Sequence, residues 1–184
     1  MVGLVPTVAC APSGPSAAQP AATGQPLKTP SQPYLLPADP SAVILRWDSR
    51  GGMRPEPEQP ALLLHASGDF SARPLPGSTV RRQGRLDAAA VQALLNEILV
   101  QHRFASISAA DIQSQISEIS QRTGRLFAVM DGGETRIELQ LPAVQHHVVL
   151  PAMQAARARF PEIEPLQRLH AIQQRLLALA ETAK

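Results

Sequence analysis

The clearest pattern in the chain is an alternation of apolar and polar side chains between residues 134 and 141. Its apolar positions are Ile137, Leu139 and Leu141, and the residues between them are charged or polar. A period of two is typical of a strand with one buried face. Pro142 then turns the chain into a second apolar run at 144–150, so the sequence predicts a β-hairpin here.

Apolar and β-branched runs earlier in the chain predict further strands at 41–47, 61–65 and 70–73. The turn formers that begin at Asp48 predict the end of the first strand, and a proline-rich loop follows it. Residues 79–85 form a more polar candidate strand. Its arginines predict an edge position, where charge discourages unwanted pairing, or an exposed face.

Two helix starts are strongly marked. Asp87 and Ser108 are good N-cap residues, each followed by apolar positions at helical spacing, and Gly124 supplies a stop for the second helix. The first helix is predicted to end near Arg103. Two more helices are predicted over 152–159 and from Pro165 onward. The predicted buried stripe of the last helix is Leu166, Leu169, Leu176, Leu177 and Ala180, with Ile172 beside it.

These elements predict an α+β fold, in which a small antiparallel sheet is covered on one side by three or four helices. Residues 1–40 have a different composition from the rest of the chain. They hold nine of the eighteen prolines and only two charges, and they are rich in alanine. Such a composition predicts a disordered leader, which leaves 41–184 as a single domain.

The single cysteine, Cys10, directly follows a short apolar run. Val8-Ala9-Cys10 matches the end of a bacterial lipobox, whose cysteine becomes lipid-modified, although Thr7 departs from that motif and no basic residue precedes the run. We therefore expect a signal peptide whose basic start lies upstream, and an extracytoplasmic, lipid-anchored protein. The alternative is an ordinary disordered N-terminus with an incidental cysteine on a cytoplasmic protein.

The amino-acid composition limits the classes of partner that the protein is expected to bind. The net charge is only +2 and aromatic residues make up 3% of the chain, so nucleic-acid binding is not expected. A membrane contact is expected only through a lipid at Cys10. We expect a monomer with an unknown protein partner.

Neither a cofactor nor a metal is expected. The adjacent His146 and His147 fall on a predicted strand, whose successive side chains point to opposite faces, so they cannot readily share one ion. The sequence contains no nucleophile elbow or metal-ligand spacing, and no catalytic residue is assigned. An enzyme with an unrecognised site around these two histidines or His65 is one alternative.

The candidate binding residues are arginines and their neighbours on predicted loops and edges. They are Arg50, Met53 and Arg54 in the loop over 50–60, and Arg81 and Arg82 on the polar strand. They favour a non-enzymatic protein-interaction domain. A structural or accessory domain without a specific site is the other alternative.

The motifs of residues 43–181 resemble a group of uncharacterised bacterial domains attached to lipoprotein-type leaders. They are Arg46-x-Asp48-x-Arg50-Gly51-Gly52, then Gly68-Asp69, a helix over Leu86 to Phe104, and Phe160-Pro161-Glu162-Ile163. The order of elements is also similar to small metalloprotease inhibitors of the emfourin type. This second likeness implies an inhibitor-like function and makes the loop over 50–60 the place where a partner would bind.

The interpretation of Cys10 can be tested by labelling with a radioactive or clickable fatty-acid precursor in bacteria that express the chain from a restored upstream start. We expect lipid incorporation in the wild-type chain and none in the Cys10→Ser variant, because the modification needs the thiol. Equal labelling of both, or labelling of neither, would contradict the lipoprotein interpretation.

Overall fold

The described part of the protein is built around one antiparallel sheet. The computed structural model describes residues 33–50, 59–73, 80–129 and 132–184. The strands are β1 (Val43–Arg50), β2 (Leu62–His65), β3 (Asp69–Ala72), β4 (Arg82–Arg85), β5 (Glu134–Gln140) and β6 (Gln145–Pro151). The helices are α1 (Ala88–Asn96), α2 (Ala109–Thr123), α3 (Met153–Arg159) and α4 (Glu164–Glu181). The sheet order is β4-β3-β2-β1-β5-β6, which confirms the predicted α+β class and the edge position of β4.

The sheet buries one face under the helices. Alternate side chains of its strands enter the core, among them Leu45, Trp47, Leu62, Leu64, Phe70, Ile137, Leu139, Val148 and Leu150. The intervening positions lie on the opposite face, which we call the polar face because arginine, aspartate, glutamate and glutamine dominate it. The period-two alternation predicted for β5 and the hairpin that it forms with β6 are both confirmed.

A bulge explains why β1 has an apolar run where a regular strand would alternate. Val43 pairs with His65, but the next pair is Leu45 with Leu64, so Ile44 is an extra residue in the strand. A bulge shifts the alternation by one position. Ile44 and Leu45 are accordingly both fully buried.

The predicted helix caps are present. The Asp87 carboxylate accepts from the amide of Ala90 at 2.7 Å, and the Ser108 hydroxyl accepts from the amide of Asp111 at 3.2 Å. Gly124 ends α2 in the left-handed conformation. The first helix continues beyond α1 as a π-helical turn over Glu97–Gln101, so it reaches nearly as far as predicted.

The last helix buries a slightly different stripe from the predicted one. Leu179 is buried, whereas Leu177 lies at the edge of the core. Pro165 sits in the first turn of α4, as predicted. Within the ranges given above, no helix combines the length and hydropathy needed to cross a bilayer.

Residues just before β1 already pack on the domain. Tyr34 and Leu36 contact the core from its edge. The Tyr34 amide donates to the Gln92 side chain at 2.7 Å, and the Gln92 amide group donates back to the Tyr34 carbonyl at 2.9 Å. This reciprocal pair attaches the end of the predicted leader to α1. The predicted boundary at residue 40 stays a prediction.

Two glycines in the left-handed region make a matched stability test. Gly68 has φ +85°, and a methyl group there would press against the carbonyl oxygen of Leu86, whereas one at Gly124 (φ +69°) would meet nothing. We expect Gly124→Ala to cost about 1–2 kcal/mol and Gly68→Ala about 3 kcal/mol or more, because the second adds a backbone clash to the conformational penalty. Urea unfolding of both variants measures the difference. Equal losses would contradict the close approach at Gly68.

Candidate functional site

A buried carboxylate organises one end of the polar face. Asp48 is only 1% exposed, although it was predicted to lie in a turn. The structure corrects this, since β1 continues through it to Arg50. Its Oδ2 accepts from Arg50 Nε at 3.0 Å, and its Oδ1 accepts from the Ser49 amide at 3.0 Å. A desolvated carboxylate is tolerated only with such partners.

A second guanidinium reaches the same carboxylate from β3. Arg73 follows the last residue of that strand, and its Nη2 lies 3.5 Å from Asp48 Oδ1. The Arg73 side chain is 10% exposed, so its charge is held largely out of water. Asp48 therefore binds together the ends of two strands that are not neighbours in the sheet.

Arg81 binds Pro60 and Ser71, next to the Asp48 contacts. Its Nη1 donates to the Pro60 carbonyl at 2.8 Å, and its Nη2 donates to the Ser71 carbonyl at 3.1 Å and to the Ser71 hydroxyl at 2.6 Å. Burial, and after it the positive charge of Arg73, lower the pKa of Arg81 below its ordinary value. The side chain is committed to contacts within the protein.

We call Asp48, Arg50, Arg73 and Arg81 the arginine cluster. It holds both flanks of the segment 51–58, because Arg50 precedes that segment directly and Pro60 follows it closely. Two of its guanidinium groups contact the Asp48 carboxylate, and the third, Arg81, contacts uncharged oxygens. The cluster therefore carries a net charge of about +2 when all four groups are ionised.

The structure brings Arg50 and Arg81 to the same end of the sheet, but as internal contacts within the protein. Arg82 lies in β4 and is exposed at the sheet edge. Met53, Arg54 and Cys10 lie outside the described residues. Asp48 and Arg73 were not assigned as site residues. The alternation Arg46-x-Asp48-x-Arg50, matched by Glu134-x-Arg136-x-Glu138, was the signal that could have identified Asp48.

The candidate histidines do not converge. His65 lies on β2, and its Nδ1 is 2.7 Å from the Ser41 carbonyl oxygen. His146 is half-buried on the helix side of β6, with Nε2 2.8 Å from the Ile107 carbonyl and its ring edge-on to Phe104. His147 is exposed on the polar face. β2 and β6 are three strand spacings apart, about 14 Å, so His65 is remote from the other two.

The polar face also has a shallow depression of about 520 Å³ over the β5–β6 hairpin. Its polar-face lining is Arg136, Glu138, Gln140, Gln145, His147 and Val149. Arg136 Nη1 and Glu138 Oε1 are 3.7 Å apart, so the two formal charges of this lining largely compensate each other. In the part of the chain that the structure describes, no three histidine, cysteine or acidic side chains are placed to hold a metal ion.

Comparison of the chain with known protein families, with curated proteins and with solved structures gave no match in any of the three. The resemblances drawn from sequence motifs therefore remain predictions, and the function has to be argued from this molecule alone.

The arginine cluster can be tested against an exposed ion pair in the same sheet. Asp69 lies 3.6 Å from Arg85 with both side chains more than half exposed. We expect Asp48→Ala to lower the free energy of unfolding by about 3–5 kcal/mol, because it removes the carboxylate that faces the largely buried guanidinium of Arg73. Asp69→Ala should cost less than about 1 kcal/mol. Chemical denaturation measures both. Similar losses would contradict the structural role assigned to Asp48.

Proposed function

We propose that this chain is a non-enzymatic protein-interaction domain that presents the segment 51–58 to a partner, in the manner of a small protease inhibitor. The observation that carries the proposal is the anchoring of both flanks of this segment. Arg50 is held by the buried Asp48, and Pro60 is held by Arg81. A recognition segment with fixed ends loses less conformational entropy on binding than a free one, and so binds more tightly.

The proposal divides the predicted binding residues into two groups. Arg50 and Arg81 act as positioning residues, because their guanidinium groups contact protein atoms at the ends of the segment. Met53 and Arg54 are proposed to contact the partner directly. Arg82 is exposed on β4 at the sheet edge and is proposed as a separate contact for the partner.

The proposed place of action is outside the cytoplasm, with the domain attached to a bacterial membrane by a lipid on Cys10. This part rests on the Val8-Ala9-Cys10 sequence and on the composition of residues 1–40. A proline-rich leader of this length would let the domain reach partners at some distance from the bilayer.

Site-specific photo-crosslinking tests the proposed surface. A photoreactive amino acid replaces Met53 in the full chain, expressed in its native organism, and Glu118 on the exposed side of α2 serves as the matched control position. We expect a discrete protein adduct from position 53 and none from position 118, because only the first lies on the presented segment. Adducts from both positions, or from neither, would contradict the proposal.

A panel of purified zinc metalloproteases tests the inhibitor-like part. We expect the wild-type chain and Asp69→Ala to slow at least one protease, and Met53→Ala combined with Arg54→Ala to lose at least about ten-fold in inhibition constant, or 1.4 kcal/mol. Far-UV circular dichroism confirms that the variants are folded. If no protease is slowed while the crosslink at position 53 forms, the partner belongs to another class of protein.

A further inference from the structure

The outward backbone groups of the two edge strands, β4 and β6, differ in whether other described residues bond to them. On β4, the amide of Gln83 donates to the Lys184 carbonyl at 3.1 Å, and the Lys184 amide donates back to the Gln83 carbonyl at 3.0 Å. Lys184 thus occupies the middle of this edge, and the charged Arg82 and Arg85 lie on either side of Gln83. Both features discourage another strand from pairing there.

At the opposite edge, β6 pairs with no strand other than β5 among the described residues. Leu141 and Val144 exchange two backbone hydrogen bonds at the hairpin turn, 2.8 and 3.2 Å long. Because hydrogen-bonded pairs alternate along an antiparallel ladder, the inward-bonding residues of β6 are His146, Val148 and Leu150. The backbone groups of Gln145, His147 and Val149 therefore point away from the sheet. Among the described residues, none bonds to them.

These outward groups form a regular row of hydrogen-bonding positions to which an extended backbone can bind. They supply three N–H donors and, with the carbonyl of Pro151, four acceptors along one strand. Gln145, His147 and Pro151 are exposed and Val149 is half-buried, so water reaches most of this row in the part of the chain that the structure describes. Pro151, which has no N–H, ends the row of donors. The stretch from Val144 to Leu150 contains no lysine, arginine, aspartate, glutamate or proline, the residues that normally protect an edge.

Side chains of an added strand would have a defined place on the polar face. Gln145, His147 and Val149 line the depression of about 520 Å³ next to this edge. Alternate residues of the added strand would lie beside them. Since Arg136 and Glu138 largely compensate each other, the depression favours uncharged side chains, and a charged strand would lose hydration without finding a counter-charge.

We propose that β6 binds an extended, uncharged segment of a partner protein as a seventh strand of the sheet. Main-chain hydrogen bonds to Gln145, His147 and Val149 supply the affinity, and the depression selects the side chains. The β6 edge and the segment 51–58 are different parts of the sequence. The experiments below measure binding at β6 alone, so their outcome does not depend on the function proposed for that segment.

A second copy of the chain is a poorer occupant. Two β6 strands paired antiparallel about a two-fold axis would place the helices of both copies on the same face, with the α2 helices that contact β6 next to the junction. The exposed side of α2 carries Gln113, Ser117 and Glu118, which offer no apolar surface for such a contact. A single extended segment needs only the width of one strand.

Amide hydrogen exchange of the full chain, followed residue by residue by NMR, tests the open edge directly. In the free protein we expect the amides of His147 and Val149 to exchange at least about 100-fold faster than those of Val148 and Leu150, which bond to β5. Equal protection of the two sets would overturn the proposal. Protection of His147 and Val149 that rises with protein concentration, together with a doubled mass, would overturn it in favour of a second copy.

The ligand probe is a synthetic heptapeptide of alternating threonine and valine. We expect it to slow exchange at Gln145, His147 and Val149 at least about ten-fold. A version N-methylated at every amide should have no effect, because neither of its edges then has an N–H to donate. An alternating glutamate and valine peptide should bind at least about ten-fold more weakly. No protection by the first peptide, or equal protection by either control, would overturn the proposal.

Two variants locate the binding. Val149→Pro removes an outward N–H that the sheet does not use, so we expect the fold to persist and peptide binding to be lost. Val149→Thr keeps the amide and should bind the peptide within about three-fold of wild type. Binding by a folded Val149→Pro chain equal to that of wild type would overturn the proposal. If Val149→Pro does not fold, the N-methylated peptide decides the same question.

Discussion

The structure depends on burying only one face of a six-stranded sheet. Helices cover the side that carries Trp47, Leu64 and Ile137, and the other side has to satisfy its charges within the sheet. β1 and β5 do this by pairing opposite charges across the strands. The directly opposed pairs are Arg46 with Glu138, Asp48 with Arg136, and Arg50 with Glu134. Cross-strand pairs of opposite charge stabilise a sheet, and like charges in the same positions would destabilise it.

This arrangement explains where the polar face is rigid and where it is available. Near Asp48 the charges are buried, and the strand ends are tied together by hydrogen-bonded guanidinium groups. Toward β6 the charges are half-exposed and the outermost strand presents polar, uncharged side chains. The first region is suited to positioning a segment, and the second is suited to contacting one. The two proposed surfaces therefore follow from the same charge pattern.

The sequence predicted what local physical chemistry determines. The caps at Asp87 and Ser108 depend on residues three positions away, and the period of β5 depends on its own side chains. Asp48 was misplaced because one of its two guanidinium partners, Arg73, is 25 residues distant, and propensity alone assigns an aspartate to a turn. The openness of β6 was equally hidden, since it depends on which strand ends the sheet.

An apolar cluster in place of Asp48, Arg50 and Arg73 would stabilise this end of the sheet at least as well, because burying ions is costly. Apolar contacts, however, do not fix the orientation of the strand ends. A carboxylate bound to guanidinium groups fixes the angle as well as the position of each strand end. Arg81 does the same for Pro60 and Ser71 through three hydrogen bonds. A network of this kind determines geometry more than stability, and geometry is what a segment presented to a partner requires.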